Sequence, residues 1–187
     1  MKPYNLILAF GLTISAVPAT AAENDYKAFA DQQAAAFMAN TLVQDALAAN
    51  NSAHAAYTEA DILALDSQWR EQLNLSNSPL IAQINSAPVS DYLRQVVADS
   101  DGAIVEIILM DNVGLNAGIS AITSDFWQGD EDKFLKTYTV GAGSIHAGDV
   151  ELDESSGIYV MQVSIPILDP SGQLVGAATF SLDAERL

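Results

Sequence analysis

At 187 residues, half of them apolar, the chain is long enough to bury a sizeable core and too apolar to be a disordered tail. Twenty-four acids against seven bases give a net charge of −17, which repels phosphate backbones and anionic headgroups and so argues against nucleic-acid or membrane-surface partners. Cysteine is absent, which excludes disulfides, thiolate metal sites and a cysteine nucleophile.

The first element is a leader. Lys2 precedes an apolar run at 6–14 that is too short to span a bilayer, and Ala19-Thr20-Ala21 places small residues at the cleavage spacing. This pattern predicts a signal peptide over residues 1–22, cut after Ala21 or Ala22, and a periplasmic or secreted protein. Losing Lys2 would leave 24 acids and 6 bases, a net charge of −18. No later run reaches the roughly 18 apolar residues of a transmembrane helix, so the processed chain is expected not to insert stably into a membrane. Residues 23–187 are expected to form a single domain, helical over 25–99 and sheet-forming over 103–187.

From Asp25 to about Ala49, Ala30, Ala34, Phe37, Met38, Leu42 and Ala46 recur at helical spacing with no Gly or Pro between, which predicts one long amphipathic helix. Asn50-Asn51-Ser52 reads as its end. Thr58-Glu59-Ala60-Asp61 resembles a capping box, with Ile62, Leu65, Trp69 and Leu73 as the stripe behind it, so Trp69 reads as core. Ser78-Pro79 opens a short helix through Ile84, and after Pro88 a cap at Ser90 starts another, whose apolar face is Tyr92, Leu93, Val96 and Val97.

The remainder reads as strand. Two β-branched apolar runs, 104–110 and 115–122, flank Asp111-Asn112-Val113-Gly114, and Asp first with Gly fourth favours a tight reversal. A polar-aromatic loop follows at 123–129, then a short helix capped by Asp130, with Glu131 and Asp132 in its first turn and Lys133 and Lys136 near its end, as the dipole prefers. A short strand at 144–147 and an acidic loop at 149–156 precede the alternating run 158–168. Asp169-Pro170-Ser171-Gly172 turns into a last strand at 174–182. Helices first and hairpins afterwards predict an α+β fold with an antiparallel sheet, the long helix on one face and the shorter helices and the 123–129 loop on the other.

The segments 106–111, 114–116, 123–131, 153–156 and 162–164 carry a resemblance to the single Cache, or PDC, extracytoplasmic sensor domains. The run Thr123-Ser124-Asp125-Phe126-Trp127-Gln128-Gly129-Asp130-Glu131 is its distinctive part, and the likeness extends over roughly residues 25–187. The resemblance implies a long N-terminal helix and short helices packed on a PAS-like antiparallel sheet of about five strands. It also implies a small ligand held between sheet and covering loops, with occupancy reported through the N-terminal helix. Such domains commonly sit between two transmembrane helices of a receptor or kinase. This sequence shows neither those helices nor an output module, which favours a free-standing binding subunit, or one that docks on a membrane receptor or sensor kinase.

Asp125 leads the candidates for ligand binding, since a carboxylate beside the Trp127 indole can pair with an ammonium. Alternatively, Asp125 caps a turn and Trp127 fills the core. Gln128 can orient an amide or carboxylate, although a loop hydrogen bond to backbone is the plainer reading. Asn116, Gln162 and Ser164 lie on strands, the last two on one face by the period of two, whereas Tyr159 joins them only across a bulge. Arg70 and Arg94 could clamp a carboxylate, although an ion pair is the plainer reading of each. His54 and His146 lack metal-ligand spacing, the acids match no EF-hand loop, and no nucleophile or nucleotide motif is present. The expected function is therefore a non-catalytic, cofactor-free sensor-type domain for an amine, amino acid or carboxylate. A structural or interaction subunit whose cavity is closed by its own side chains is the competing reading.

Overall fold

A computed structural model describes residues 19–153 and 157–186. The charged and apolar parts of the expected leader, together with Glu154, Ser155 and Ser156, lie outside the described residues. Among the described residues five helices precede the sheet: α1 (Ala19–Ala39), α2 (Thr41–His54), α3 (Glu59–Gln72), α4 (Pro79–Asn85) and α5 (Pro88–Ala98). The strands β1 (Ile104–Met110), β2 (Asn116–Ile119), β3 (His146–Asp153), β4 (Ile158–Leu168) and β5 (Leu174–Asp183) follow, with a single turn of helix, α6 (Asp132–Leu135), between β2 and β3. They form one five-stranded antiparallel sheet in the order β2-β1-β5-β4-β3. The α+β, PAS-like fold expected from the sequence is the observed one.

Several boundaries differ, each for a local reason. The single long helix is two helices. Asn40 takes an extended conformation (φ −87°, ψ 118°) and its side chain accepts from the Leu42 and Val43 N–H groups, capping α2 and outweighing the surrounding helix formers. Asn50, Asn51 and Ser52 do not end a helix but continue α2, where Asn51 accepts the Asn112 N–H and donates to the Val175 carbonyl. The capping box at Thr58 and Asp61 is formed. Ser90 is not a cap. Pro88 already occupies the first turn of α5, and the buried Ser90 hydroxyl bridges the Ile84 carbonyl and the Ile119 N–H at 2.7 and 3.0 Å. The helix expected from Asp130 begins at Asp132, and the segment taken for an acidic loop from Asp149 is strand β3 as far as Asp153. That strand runs at the sheet edge with a bulge between Ala147 and Val150, which obscured its alternation.

Two apolar layers sandwich the sheet. Ala30 and Phe37 of α1, Val43 and Leu47 of α2, and Val89 and Leu93 of α5 pack on Ile107, Leu109, Val163, Ile165 and Phe180. Trp69 of α3, Ile81 and Ile84 of α4, and Phe126 cover Ile108, Met110 and Ile119 on the opposite face. β1 lies between β2 and β5 and is covered on both sides, so its apolar residues run almost without alternation. Glu106 is the exception in that run. The β1–β2 reversal closes as expected. Gly114 (φ +84°) donates to the Asp111 carbonyl at 3.1 Å, and buried Asp111 Oδ1 accepts the Val113 and Leu115 N–H groups at 3.0 Å. Its other oxygen meets His54 Nδ1 at 2.5 Å, tying the end of α2 to the hairpin turn.

Candidate functional site

The sheet face opposite α1 is apolar near β2 and polar toward β3. Pairing sets Glu106 of β1, Ser181 of β5 and Gln162 of β4 in one cross-strand row. Ile108, Thr179, Ser164 and His146 form the next row. Thr179 and Ser164 satisfy each other through a 2.9 Å hydroxyl contact. This floor is legible only once the register is known, because its members are scattered over four strands.

The 123–129 loop and α6 form the roof, and α3 holds the loop in place. Buried Asp66 accepts the Phe126 and Trp127 N–H groups at 2.9 and 3.1 Å with one oxygen and pairs with Arg70 through the other. Trp69 donates its indole N–H to the Thr123 carbonyl at 2.9 Å and stacks on Phe126, with centroids 5.1 Å apart. From β2, the buried Asn116 amide donates to Thr123 Oγ1 and the Asp125 carbonyl at 2.9 and 3.1 Å, while its Oδ1 has no partner among the described residues. The loop is thus pinned at both ends by the protein's own groups.

Between floor and roof lies a cleft of about 610 Å³, within the usual range for a small-molecule site. Glu106, Ile108 and Gln162 form its base, and Asp125, Gln128 and Lys133 overhang it. The Gln128 amide donates to Asp125 Oδ1 at 2.8 Å, and Lys133 Nζ reaches Gln128 Oε1 at 3.1 Å and Glu131 Oε2 at 3.0 Å. Burial pushes the Glu106 carboxyl above the usual range. Lys133 opposes that shift, and the Asp153 and Asp125 charges add to it. A second hollow of about 480 Å³ adjoins, sharing Glu131, Lys133 and Gln162 and extending to His146 and Lys136. Burial and, secondarily, Lys136 hold His146 below its ordinary value, with Asp132 opposing.

The structure brings together Asp125, Gln128 and Gln162 of the residues singled out from sequence. Trp127 does not face the cleft. Its indole donates to the Val113 carbonyl at 2.9 Å and lies over Gly129, where a Cβ would stand 2.2 Å from Nε1. Gly114 and Gly129 are small because loop and hairpin backbones meet there: a Cβ on Gly114 would approach Gly129 Cα to 2.5 Å. Asn116 supports the loop from behind. Ser164 is fully buried in the floor against Thr179. Tyr159 is 55% exposed and pairs with Leu152 of β3; β4 has no register shift against β5 from Val160 to Ile167, and the odd spacing leaves Tyr159 on the opposite face from Gln162. Arg70 pairs with Asp66, and Arg94 with Asp91 and Asn85, outside the cleft. Sequence reasoning missed Glu106, Lys133 and Asp66. The lone acid inside Ile104–Met110 was a readable sign of the first.

Among the described residues no group of three acids or histidines is placed to hold a metal ion. No helix among them is long and apolar enough to cross a membrane.

No family model and no curated protein matches the sequence. Among solved structures, the chain is similar to the ligand-binding domain of the Campylobacter jejuni chemoreceptor Tlp3 in complex with 4-methylisoleucine. The TM-score is 0.42 and the identity 17%, over 80% of this chain and 63% of that one. It is also similar to the sensory domain of the same chemoreceptor with isoleucine bound (TM-score 0.40, 14% identity, 91% and 66% of the two chains). The E. coli DcuS sensor domain is a third (TM-score 0.40, 16% identity, 68% and 89%). The chain spans less than two thirds of the length of both chemoreceptor chains. These are sensor and ligand-binding domains, the class that the sequence resembles.

Proposed function

We propose that this protein is an exported, ligand-binding sensor-type domain that holds a small metabolite in the cleft between Gln162 and the 123–129 loop and acts with a membrane receptor or sensor kinase. The observation that carries the reading is the cleft itself. It is open, about 610 Å³ in volume, and its roof is positioned by buried hydrogen bonds from Asp66, Trp69 and Asn116. Binding surfaces set in advance in this way lose less freedom when a ligand docks. Export is supported by the leader pattern around Lys2 and Ala19-Thr20-Ala21. A purely structural subunit would call for a cavity filled by the protein's own side chains, which an open cleft does not favour.

The test is a thermal-shift screen with amines, amino acids and carboxylates. A ligand at a hundred times its Kd raises stability by about 2.7 kcal/mol. A panel that shifts the midpoint nowhere removes the binding reading and leaves the interaction-subunit reading in its place.

A further inference from the structure

We propose that the cleft selects an organic cation, a compound carrying an ammonium group and no carboxylate, with Glu106 as its anchor. This rests on the cleft being the binding site. Four carboxylates border it, those of Glu106, Asp125, Glu131 and Asp153, against one ammonium, that of Lys133. The lysine is not free to greet an acid. Its side chain is only 11% exposed, and Glu131 and Gln128 already hold its nitrogen at 3.0 and 3.1 Å. An incoming carboxylate would have to displace Glu131 from Lys133 or face the remaining acids.

Glu106 stands differently. It sits in the floor of the cleft, and among the described residues no hydrogen bond or ion pair reaches its carboxylate. Its row neighbours across the sheet are Ser181 and Gln162, neutral groups that supply no compensating charge. This partly buried carboxylate has only the charge of Lys133 to oppose its burial, and Glu131 and Gln128 already hold that nitrogen, so a bound ammonium would supply the missing partner. Ile108 and Ile122 border the same space and can take the methylene part of an alkyl ammonium. Asp125, whose Oδ1 is oriented by Gln128 at 2.8 Å, offers a second anionic contact in the overhang.

The experiment is calorimetric titration of the protein with four compounds of one length: 1,4-diaminobutane, n-butylamine, 4-aminobutanoate and butanoate. The diamine and the monoamine are expected to bind, 4-aminobutanoate at least tenfold more weakly than the monoamine, and butanoate not at all. Amine affinity should fall as salt rises. Glu106→Gln should weaken the diamine at least tenfold while leaving the unliganded melting midpoint unchanged or higher. Asp125→Asn should weaken it less. Tighter binding of 4-aminobutanoate or butanoate, an unchanged diamine affinity in Glu106→Gln, or a preferred metabolite without a cationic group would overturn the charge selection while the cleft remained a binding site. A protein that binds nothing in the wider metabolite panel loses both readings together.

Discussion

Replacing Asp66 by alanine isolates the contact that fixes the roof of the cleft. Its Oδ1 is the acceptor for two loop N–H groups, those of Phe126 and Trp127, at 2.9 and 3.1 Å, and Asp66 itself is 3% exposed. Losing that acceptor leaves two inner donors unsatisfied, at about 1–3 kcal/mol each. The Arg70 partner is 60% exposed, so that ion pair adds at most about 1 kcal/mol. The expected loss is roughly 2–7 kcal/mol by the cost of stranded donors and the lost pair. For a chain of this size that is roughly 4–28 °C in Tm, at about 2–4 °C per kcal/mol. Asp66→Asn retains an oxygen in the same place and should lose less than half as much. Differential scanning calorimetry of the three proteins measures both numbers, and ligand titration of Asp66→Ala below its melting point should show weaker binding because the loop is no longer held. An Asp66→Ala protein that melts within 1 °C of the wild type, or one no different from Asp66→Asn, would refute the claim that this carboxylate holds the loop.

Gly129→Ala forces a methyl to 2.2 Å from Trp127 Nε1 and 2.9 Å from the Val113 carbonyl. It should cost about 1–3 kcal/mol by overpacking and shift the Trp127 emission, while Trp69 remains fully buried. Glu106 is a carboxylate raised above its ordinary 4.5 by burial, so the folded protein holds this proton more tightly than the unfolded chain. Its contribution to stability is greatest at and below pH 4.5 and declines as pH rises through the folded value; Glu106→Gln should therefore stabilise the protein at neutral pH and flatten that part of the stability profile. Asn40→Ala should cost about 0.5–2 kcal/mol through loss of the α2 cap, seen in urea unfolding with an unchanged m-value, and a neutral effect would mean that the α1–α2 break does not depend on the cap.

The residues that announced the fold did so through short-range rules. Period-two alternation placed Gln162 and Ser164 on one face of β4, and the Asp111 and Asp169 turns carried their glycines at the fourth position with positive φ. The helical stripe behind Thr58 correctly put Trp69 in the core. The failures lie where a contact joins distant parts of the chain or where one side chain outweighs its neighbours. Asn40 breaks a run of helix formers by capping the next helix, a competition that propensity sums do not register. Asp66 is 60 residues from the Phe126 amide that it accepts, so nothing in the local pattern ties α3 to the loop. Trp127 was read either as an indole for a ligand cation beside Asp125 or as core filler. Its side chain instead turns toward the hairpin, where two glycines let the backbones close up and the Val113 carbonyl needs a donor. Glu106 stood out as a lone acid in an apolar strand, but its place in the cleft floor followed from the register of β1, β5 and β4.

The most direct test is a heteronuclear NMR titration of the protein with the tightest binder from the metabolite panel. The expected result is a cluster of shifts at the Gln128 and Gln162 side-chain amides and the backbone amides of Glu106 and Asp125, all bordering the same cleft. Shifts confined to the groove beside Ala30, Ala34 and Met38 on α1, with the cleft amides unmoved, would contradict it.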